Sequence, residues 1–542
     1  MKTIYRTMKA IGLISLILWM TSCQDLLTED PKGQLATINF FSEKGDLDLA
    51  LNALYSILAQ DQYANNQIGC NFLSGDDITT HPASNKQSLR EYDQSSVSDN
   101  NTWMVTLWEA RWRLVKAANF IINNAERTPD VLPDEIKAAM GQAYYWRAYS
   151  YFYLVTAWGA VPLILNDEVN YEKPLTPAPE IYDLIVADLK KAEEGVPDNY
   201  SKAPYARNGM NIAVSKGAVK ATLAYVYLSM AGWPMNKGTE YYQLAAEKAR
   251  EVIDGVENGT YYYSLLDEYG KVYAVTQNER NPEVLLGVYF NREKSLQNTP
   301  VCDFLQDMSY GGGWDDTHGE IKFWTDFPEG PRKEASYFPQ IMLLDDQLYD
   351  WWYDTNPPSR AVIAPCFMKT TEGVTRGADF DYTNPATISY EGEKMHQVIR
   401  LSEVYCWYAE AVGRSGQTNA KAIEVLNKVR NRANGHGPVD DTQYNLYPAN
   451  ISSDDLAEAA YNEHGWEIAG YYWGNLAPRA RDMFRMYRIK EHFEFRKQNP
   501  PIEVAPGIFR KEAVPVTGEW SDSKMYSPYP YKDTAVNPNL KK

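Results

Sequence analysis

Three segments of this chain share one texture, in which small alanines stand beside large aromatic rings at helical spacing. They are residues 143–148, 221–227 and 405–411, which read AYYWRA, ATLAYVY and YCWYAEA. Small side chains let two helices approach closely, while a neighbouring ring fills the gap beside them. A chain built from such segments is expected to fold as packed pairs of helices.

Apolar residues at spacings of three and four predict a succession of long helices. The predicted helices cover residues 47–58, 103–125, 134–157, 180–194, 213–231, 240–254, 398–414, 420–433 and 454–470. Several are separated by short turns, which favours antiparallel neighbours. The predicted fold class is therefore mainly α, with tetratricopeptide-like antiparallel helix pairs of irregular spacing forming a scaffold.

The middle of the chain predicts a loop-rich, mostly irregular lobe inserted into this scaffold. Glycine, proline and aromatic residues crowd together there, and only residues 284–290 look like a strand. Residues 60–101 are polar and aperiodic, which predicts a loop with at most one short element, and the tail after Asn499 predicts irregular coil. The predicted units are an N-terminal helical scaffold at 39–260, the insertion lobe at 261–395, and a C-terminal helix pair with an irregular tail at 396–542.

The first residues predict an export signal. Basic residues precede an apolar run at 10–20, which is shorter than the roughly 20 residues of a bilayer-spanning helix. The small residues before Cys23 resemble the bacterial lipoprotein box, in which the cysteine is lipidated, although Met20 stands where leucine is usual. We expect a lipoprotein signal peptide at 1–22, a lipid on Cys23 and a tether at 23–38. The alternative is an ordinary secretory signal in which Cys23 is incidental.

The charge of the chain restricts its partners. The formal net charge is −18, and the basic residues of the signal make the remainder more acidic still. An acidic surface disfavours nucleic acid and disfavours lying flat on anionic lipid. We expect membrane attachment through the lipid anchor only.

The cysteines beyond Cys23 show no C-x-x-C pair and no spacing typical of metal ligands. They are Cys70, Cys302, Cys366 and Cys406. We expect buried single thiols, and a disulfide remains the alternative.

Signatures of catalysis are absent from the sequence. The six histidines show no H-E-x-x-H spacing, and there is no G-x-S-x-G elbow. Two carboxylates could serve a glycosidase, but a chain with 71 acidic residues supplies such pairs by chance. The acidic pairs at 76–77, 315–316 and 345–346 read as turn and cap residues, or at most as a weak calcium site. We expect no catalytic residues, no metal site and no cofactor beyond a structural calcium ion.

Aromatic residues make up 13% of the chain, with 40 tyrosines and 15 tryptophans, which exceeds the obvious need of a core. A pyranose presents a face of C–H groups that stacks on an aromatic ring, while amides and carboxylates bind its hydroxyls. Rings within helices, such as Trp146, Tyr151, Tyr225 and Trp407, are predicted to be core, so loop residues are the candidates for binding glycan. The candidates are Tyr63, Asn66, Asn85, Asn101, Tyr310, Trp314, Asp315 and Trp324. For each of them, packing or partner contact is the alternative.

Charged residues within the helices predict a packing role of their own. Arg147, Arg400, Glu403 and Glu410 lie inside otherwise apolar helical segments. Ions in such places are expected to be paired. We predict that these residues form buried or edge ion pairs that fix helix register.

A series of motifs along nearly the whole chain resembles one known family. In chain order they are Cys23-Gln24-Asp25-Leu26-Leu27, Ser74-Gly75-Asp76-Asp77, Leu107-Trp108 to Ala118-Asn119, Arg147-Ala148-x-x-Tyr151, Trp158-Gly159-Ala160-Val161-Pro162-Leu163, Ile399-Arg400-Leu401-Ser402-Glu403-Val404-Tyr405, Leu426-Asn427-x-x-Arg430-x-Arg432-Ala433, Glu463-His464-x-Trp466-Glu467 and Arg481-Asp482-Met483-Phe484-Arg485. Their order and spacing resemble the SusD/RagB family of Bacteroidetes surface lipoproteins. Two departures put a local salt bridge in doubt: His464 stands where arginine is expected, and residues 474–478 look inserted.

The resemblance implies a function. Such proteins have a tetratricopeptide-like helical scaffold with a variable lobe and no catalysis, and they bind oligosaccharide, or sometimes peptide, at the outer-membrane surface. They cap a SusC-like TonB-dependent transporter, which is the implied partner here. The family's binding residues lie in variable loops without a shared motif, so none is carried over. A peptide-binding member and a surface glycoside hydrolase within residues 261–390 remain the alternatives.

Overall fold

The structure is a computed structural model of the chain. It describes residues 40–59, 74–166, 170, 172–200, 202, 205–291, 293, 316–342, 347–353, 364–369, 393–438, 445–470 and 475–541. The predicted signal peptide, Cys23 and the tether lie outside these residues, as do Cys70 and Cys302. Cys366 and Cys406 are buried free thiols, as the sequence predicts.

The first half of the chain is dominated by helices. Its elements are α1 (Asp46–Ile57), β1 (Ile78–Thr80), α2 (Gln87–Asp93), α3 (Thr102–Asn124), α4 (Pro133–Trp158), β2 (Val161–Pro162), β3 (Leu175–Thr176), α5 (Ala178–Gly195), β4 (Ala206–Arg207), β5 (Met210–Asn211), α6 (Lys216–Ala231) and α7 (Thr239–Glu257). A 3₁₀ turn at Ser84–Lys86 separates β1 from α2.

The second half contains the lobe and the C-terminal helices. Its elements are β6 (Val284–Val288), β7 (Thr317–Gly319), α8 (Ile321–Asp326), α9 (Pro331–Ser336), β8 (Ile341–Met342), β9 (Leu348–Tyr349), β10 (His396–Arg400), α10 (Leu401–Arg414), α11 (Ala420–Ala433), α12 (Ser453–Ile468), α13 (Arg479–Arg485), α14 (Ile489–Gln498), β11 (Ile502–Ala505), β12 (Ile508–Arg510) and α15 (Tyr531–Val536). The mainly α fold class is confirmed.

The helices stack in a row, each against its neighbours. Extensive contacts join α3 to α4, α4 to α5, α6 to α7, α7 to α10, and α10 to α11 and α12. Every residue from Tyr145 to Trp158 in α4 is buried, so this half of the helix has no solvent face. Trp146, Tyr151, Tyr225 and Trp407 are at most 1% exposed, which confirms their prediction as core.

Small residues permit the closest approaches, as the texture of the sequence predicts. Gly413 of α10 faces the start of α12, where an added Cβ atom would lie 2.6 Å from both the Ser453 carbonyl oxygen and the Ala457 amide nitrogen. Any side chain at this position would collide with backbone. Glycine therefore sets the distance between these two helices.

Buried ion pairs link the helices, and each of the four residues predicted to be paired has a partner within 4.0 Å. Arg147 of α4 donates to both carboxylate oxygens of Asp188 in α5, at 2.7 and 2.8 Å. Arg485 of α13 donates to both oxygens of Glu410 in α10, at 2.8 and 2.6 Å. A bidentate pair in a dry site fixes the relative position of the two helices that carry it.

A larger ion network joins the lobe to the C-terminal helices. Arg400 donates to Glu283 at 3.1 Å and to Glu467 at 3.0 Å, and Arg432 donates to the same two carboxylates. All four side chains are at most 1% exposed. Glu283 precedes β6, so the strand is held against α11 and α12 by charge as well as by packing.

Within the lobe the structure adds a small second core to the large one. The large core contains residues from Phe41 to Leu540, so it runs through all three predicted units. The predicted division of the chain into these units stays a prediction. The second core comprises Ile321, Phe338, Ile341, Trp351, Cys366, Met368 and Val504. Residues of the C-terminal hairpin β11–β12 thus complete the lobe.

The sequence misassigned three stretches. Residues 398–400 were expected at the start of a helix, but they lie in β10, which pairs antiparallel with β6. A short buried apolar run fits strand and helix equally well, and the helix begins only where Glu403 caps the Arg400 amide. Residues 60–101 contain β1, a 3₁₀ turn and α2, and the tail after Asn499 contains the β11–β12 hairpin and α15.

Candidate functional site

A two-stranded ribbon joins two segments that are far apart in the sequence. β1 pairs antiparallel with β7, with Ile78 opposite Gly319 and Thr80 opposite Thr317. The pairing continues as the His81 amide donates to the Asp316 carbonyl oxygen at 3.0 Å. The start of the polar segment after β1 therefore lies beside Asp316, the residue before β7.

Buried hydrogen bonds hold the ribbon in place. The hydroxyls of Thr79 and Thr80 and the Thr80 amide all donate to one oxygen of Asp93 in α2, at 2.9 to 3.1 Å. The other Asp93 oxygen accepts from Arg496 of α14 at 3.1 Å. Because both oxygens of the Asp93 carboxylate are hydrogen-bonded, the ribbon is held firmly against α2 and α14.

An ion pair closes the base of the candidate site. Lys86, at the end of the 3₁₀ turn, pairs with the carboxylate of Asp316, and both side chains are mostly buried. Asn85 precedes Lys86 and is exposed. Asp315 precedes Asp316 in the sequence. Two of the predicted glycan contacts are therefore sequence neighbours of this ion pair, Asn85 of Lys86 and Asp315 of Asp316.

A tryptophan cluster lies in the lobe that follows β7. The ring of Trp351 is edge-on to those of Trp324 and Trp352, at centroid distances of 5.3 and 5.4 Å. Trp351 is buried, whereas Trp324 and Trp352 are half-buried. The Lys333 ammonium lies 4.2 Å from the Trp324 ring centroid, so one face of this indole is already covered.

More exposed rings lie next to this cluster. Tyr349 and Tyr353 have ring centroids 4.9 Å apart with their planes inclined by 31°. Tyr353 is 53% exposed, and Phe509 of the neighbouring hairpin is 52% exposed. The hairpin contacts the cluster directly, because Arg510 donates to the Trp352 carbonyl oxygen. Trp352, Tyr349, Tyr353 and Phe509 are called the lobe rings below.

The lobe rings were missed as site residues from the sequence. The run Trp351-Trp352-Tyr353 belongs to the crowded aromatic residues that predict an irregular lobe, and it carries no further signal of a site. Three consecutive large rings do not all enter one small core, because neighbouring side chains point in different directions, here around a turn in which the Tyr353 amide donates to the Asp350 carbonyl oxygen at 2.9 Å. That signal could have shown that at least one of the three rings faces outward, but not which one.

The predicted glycan contacts have different fates. Tyr63, Asn66, Tyr310, Trp314 and Asp315 lie outside the described residues, Asn85 is exposed, and Trp324 is half-buried in the lobe. Whether these residues contact a ligand stays a prediction.

Asn101 has a structural role instead. Its side-chain oxygen accepts from the Trp103 and Met104 amides, both at 3.0 Å, and so caps α3. Its side-chain nitrogen donates to the Ser88 carbonyl oxygen and to Glu91. A buried amide with all these bonds made has nothing left for a sugar.

The titratable groups nearest the ribbon serve structure. Asp76 forms a bidentate pair with Arg479, at 2.7 and 3.0 Å. Burial, together with the charge of Asp76, raises the pKa of the Asp77 carboxyl to about 7, although the Gly470 amide donates to it at 2.7 Å. Both residues lie in a turn, as the sequence predicts for the first acidic pair, whereas their links to Arg479 and Gly470 were not predicted.

A cysteine and a histidine lie close together in the lobe, away from solvent. The Cys366 sulfur lies 3.6 Å from His318 Nδ1, but both residues are 2% exposed, which keeps substrates away. Among the described residues no three His, Cys, Asp or Glu side chains are placed to hold a metal ion. A structural calcium ion elsewhere stays a prediction.

Comparison with known proteins decides the family. A SusD-like family model described as "Starch-binding associating with outer membrane" matches residues 27–228, and the SusD family model matches residues 353–542. The chain belongs to the SusD/RagB family. Within the described part of the chain, no helix combines the length and apolarity that crossing a bilayer requires.

Individual SusD-like proteins match along most of their length. A SusD-like protein P2 of Formosa agariphila is 26% identical over 481 residues, which cover 85% of this chain and 88% of the relative. A solved SusD homolog from Bacteroides thetaiotaomicron has a TM-score of 0.74 at 18% identity and covers 94% of this chain and 98% of its own. A surface glycan-binding protein A from the same species, solved with laminarihexaose, has a TM-score of 0.66 at 16% identity, with coverages of 92% and 99%.

The departure from the SusD/RagB pattern at position 464 does not remove its salt bridge. His464 Nδ1 lies 2.5 Å from Asp482 and its Nε2 lies 3.3 Å from Glu403, with all three side chains fully buried. Burial alone would lower the pKa of the imidazole, but the charges and hydrogen bonds of these carboxylates outweigh it and raise the pKa to about 9. The histidine is therefore a buried cation at neutral pH.

Proposed function

We propose that this protein is a non-catalytic receptor for oligosaccharides that is anchored by a lipid on Cys23 at the outer-membrane surface. It passes its ligand to a SusC-like TonB-dependent transporter. The observation that carries the proposal is the β1–β7 ribbon, which brings the polar segment after Thr80 beside Asp316. Membership of the SusD/RagB family and the laminarihexaose complex of a protein with the same fold support it.

The lobe rings supply the stacking surface that a glycan needs. Tyr353 is more than half exposed, and the plane of its ring is inclined by 31° to that of Tyr349, so the two rings form a curved surface. C–H groups of successive pyranose rings pack on such surfaces, and the half-buried Asp350 carboxylate between the two tyrosines in sequence can accept from sugar hydroxyls.

Calorimetry with neutral oligosaccharides tests the binding site. Laminarihexaose and a xylogluco-oligosaccharide are suitable first probes. We expect Trp352→Ala and Tyr353→Ala each to weaken binding of the recognised glycan by about 10-fold, or about 1.4 kcal/mol. Tyr531→Ala is the matched control, because this ring is 64% exposed but lies on α15, whose first amide donates to the Asp99 carbonyl. Unchanged affinity in both lobe variants would place the site elsewhere.

The absence of catalysis and the partner need separate measurements. Prolonged incubation of the purified protein with the bound glycan should release no reducing ends, and steady release would favour a hydrolase. Affinity purification from native outer membranes should recover a large TonB-dependent barrel with the protein. Recovery of the protein alone would contradict the transporter partnership.

A further inference from the structure

A groove of about 700 Å³ lies between α3, the C-terminal helix α15 and four residues in and after β2, which are Pro162, Ile164, Asn170 and Lys173. Trp112 and Lys116 of α3, Ile164, Lys173, and Lys532 and Val536 of α15 are among the residues that line it. The lobe rings contribute nothing to it. The groove is therefore a separate concave surface, built by the scaffold and the end of the chain.

The indole of Trp112 gives the groove a rigid aromatic surface. Trp112 is half-buried, and it is edge-on to Trp108 at 5.4 Å and to Tyr151 at 5.9 Å. Ile164 and the 59% exposed Val536 add apolar walls. A ring fixed from two sides loses little conformational entropy when a flat C–H face packs on it.

The described lining of the groove carries more cations than carboxylates. Its cations are Arg113, Lys116, Lys173 and Lys532, and its carboxylates are Glu109 and Asp533. Lys532 pairs with Glu109, but no carboxylate among the described residues lies in ion-pair contact with Lys116 or Lys173. On a chain with a net charge of −18, this local excess of cations favours an anionic ligand.

The size of the groove favours a small ligand over a protein segment. Sites for small molecules have volumes of about 300–1,000 Å³, and the groove falls within that range. A stable protein interface buries roughly 800 Å² on each partner and is typically broader than one such concavity. A concave site with one fixed indole and flanking ammonium groups suits a few sugar rings that carry acidic groups.

We propose that this groove binds an acidic oligosaccharide, with Trp112 stacking on a sugar ring and with Lys116 and Lys173 pairing with its carboxylate or sulfate groups. The inference rests on the proposed function, because it takes the ligand to be a glycan. It goes further by naming the ligand's charge and a second site that binds it.

Binding of oligogalacturonates tests the inference, because carboxyl reduction converts them to neutral chains of the same length. We expect the full-length protein to bind the acidic form at least 10-fold more tightly. The double variant Lys116→Glu/Lys173→Glu should lose this preference, and Trp112→Ala should weaken binding of the acidic form. The matched control Lys190→Glu/Lys490→Glu reverses two exposed charges outside the groove and should keep the preference.

The outcomes separate the two proposals. Equal binding of acidic and reduced oligomers, or a preference that survives charge reversal at Lys116 and Lys173, would overturn the inference and leave glycan capture standing. Failure of every neutral and acidic glycan to bind would overturn the proposed function. Pentaglutamate that binds as tightly as the oligogalacturonate, and that loses binding in the double variant, would show an acidic-peptide groove and overturn the saccharide assignment. Circular dichroism of each variant confirms that it is folded.

Discussion

His464 Nδ1 and Asp482 Oδ2 lie 2.5 Å apart inside a site from which solvent is fully excluded. The imidazolium sits between Asp482 and Glu403, and so links α12 to α13 and α10. A residue that departs from the SusD/RagB pattern therefore keeps the positive charge that this position needs.

Replacing His464 by glutamine should destabilise the protein in a pH-dependent manner. The pKa of the imidazole is about 9 in the folded protein, against about 6.5 when unfolded. Its stabilisation is thus fully present below pH 6.5 and is lost as the pH rises through 9. We expect His464→Gln to lower the free energy of unfolding by about 3 kcal/mol at pH 6. Urea titrations should show a smaller difference in the free energy of unfolding between variant and parent at pH 9.5 than at pH 6. An equal difference at the two pH values would contradict a charged histidine.

Replacing Glu512 by glutamine should stabilise the protein at alkaline pH. Burial raises the pKa of this carboxyl to about 7, although the positive charge of Arg496 opposes the shift. Asp93 and Glu320 are the nearby acids, and His492 lies beside Glu320. The native state is therefore favoured while Glu512 is protonated, and it loses stability as the pH rises from about 4.5 through 7.

Thermal melts of Glu512→Gln at two pH values check this expectation. The variant should melt at a higher temperature than the parent at pH 8 and at a similar temperature at pH 5. Glutamine keeps an oxygen that can accept from the Ile321 amide, which lies 2.7 Å from the Glu512 carboxylate. Glu491→Gln, an exposed change on α14, should alter neither melt. A lower melting temperature at pH 8 would show that the Glu512 charge is needed.

Alanine at position 413 should disrupt the packing of α10 on α12. The new Cβ atom would lie 2.6 Å from backbone atoms of Ser453 and Ala457, which cannot rotate away. We expect a loss of about 1–3 kcal/mol in the free energy of unfolding. The control Gly45→Ala introduces a methyl group with no atom within 4 Å and should be near neutral. Equal effects at the two positions would contradict a packing origin.

Alanine substitutions at Asn101 and Asn85 should have opposite effects. Asn101→Ala removes the cap of α3, so it should cost about 1–2 kcal/mol of stability and leave glycan affinity unchanged. Asn85→Ala changes an exposed side chain at the ribbon, so it should leave stability unchanged and weaken glycan binding. Denaturant titration and calorimetry on both variants separate the roles, and a glycan-binding defect in Asn101→Ala alone would reverse them.

The helices could be predicted from the sequence because their signals are local. The predicted segments 103–125 and 420–433 agree with α3 and α11 within one residue at each end, since apolar periodicity and turns mark their limits. The cap at Asn101 was equally local, because asparagine directly before a helix is a known start signal, and it was overlooked.

The ribbon and the lobe rings could not be predicted in the same way. β1 and β7 have three residues each and lie in distant parts of the chain, so no periodicity marks them as partners. Trp351 and Trp352 are identical neighbours, yet one is buried and the other half-buried. Which of the two faces the core depends on Ile321, Phe338 and Val504, and so on contacts that only the folded chain reveals.

The β1–β7 ribbon ties the position of α2 to a distant part of the chain. Thr79 and Thr80 donate to Asp93 at the end of α2, so the chain between Thr80 and Asp93 must return to the strand that it leaves. Because β7 pairs with the same strand, a change of length between Thr80 and Asp93 would shift α2 relative to both strands. Substitution of an exposed side chain in this stretch, such as Asn85, would leave these hydrogen bonds in place.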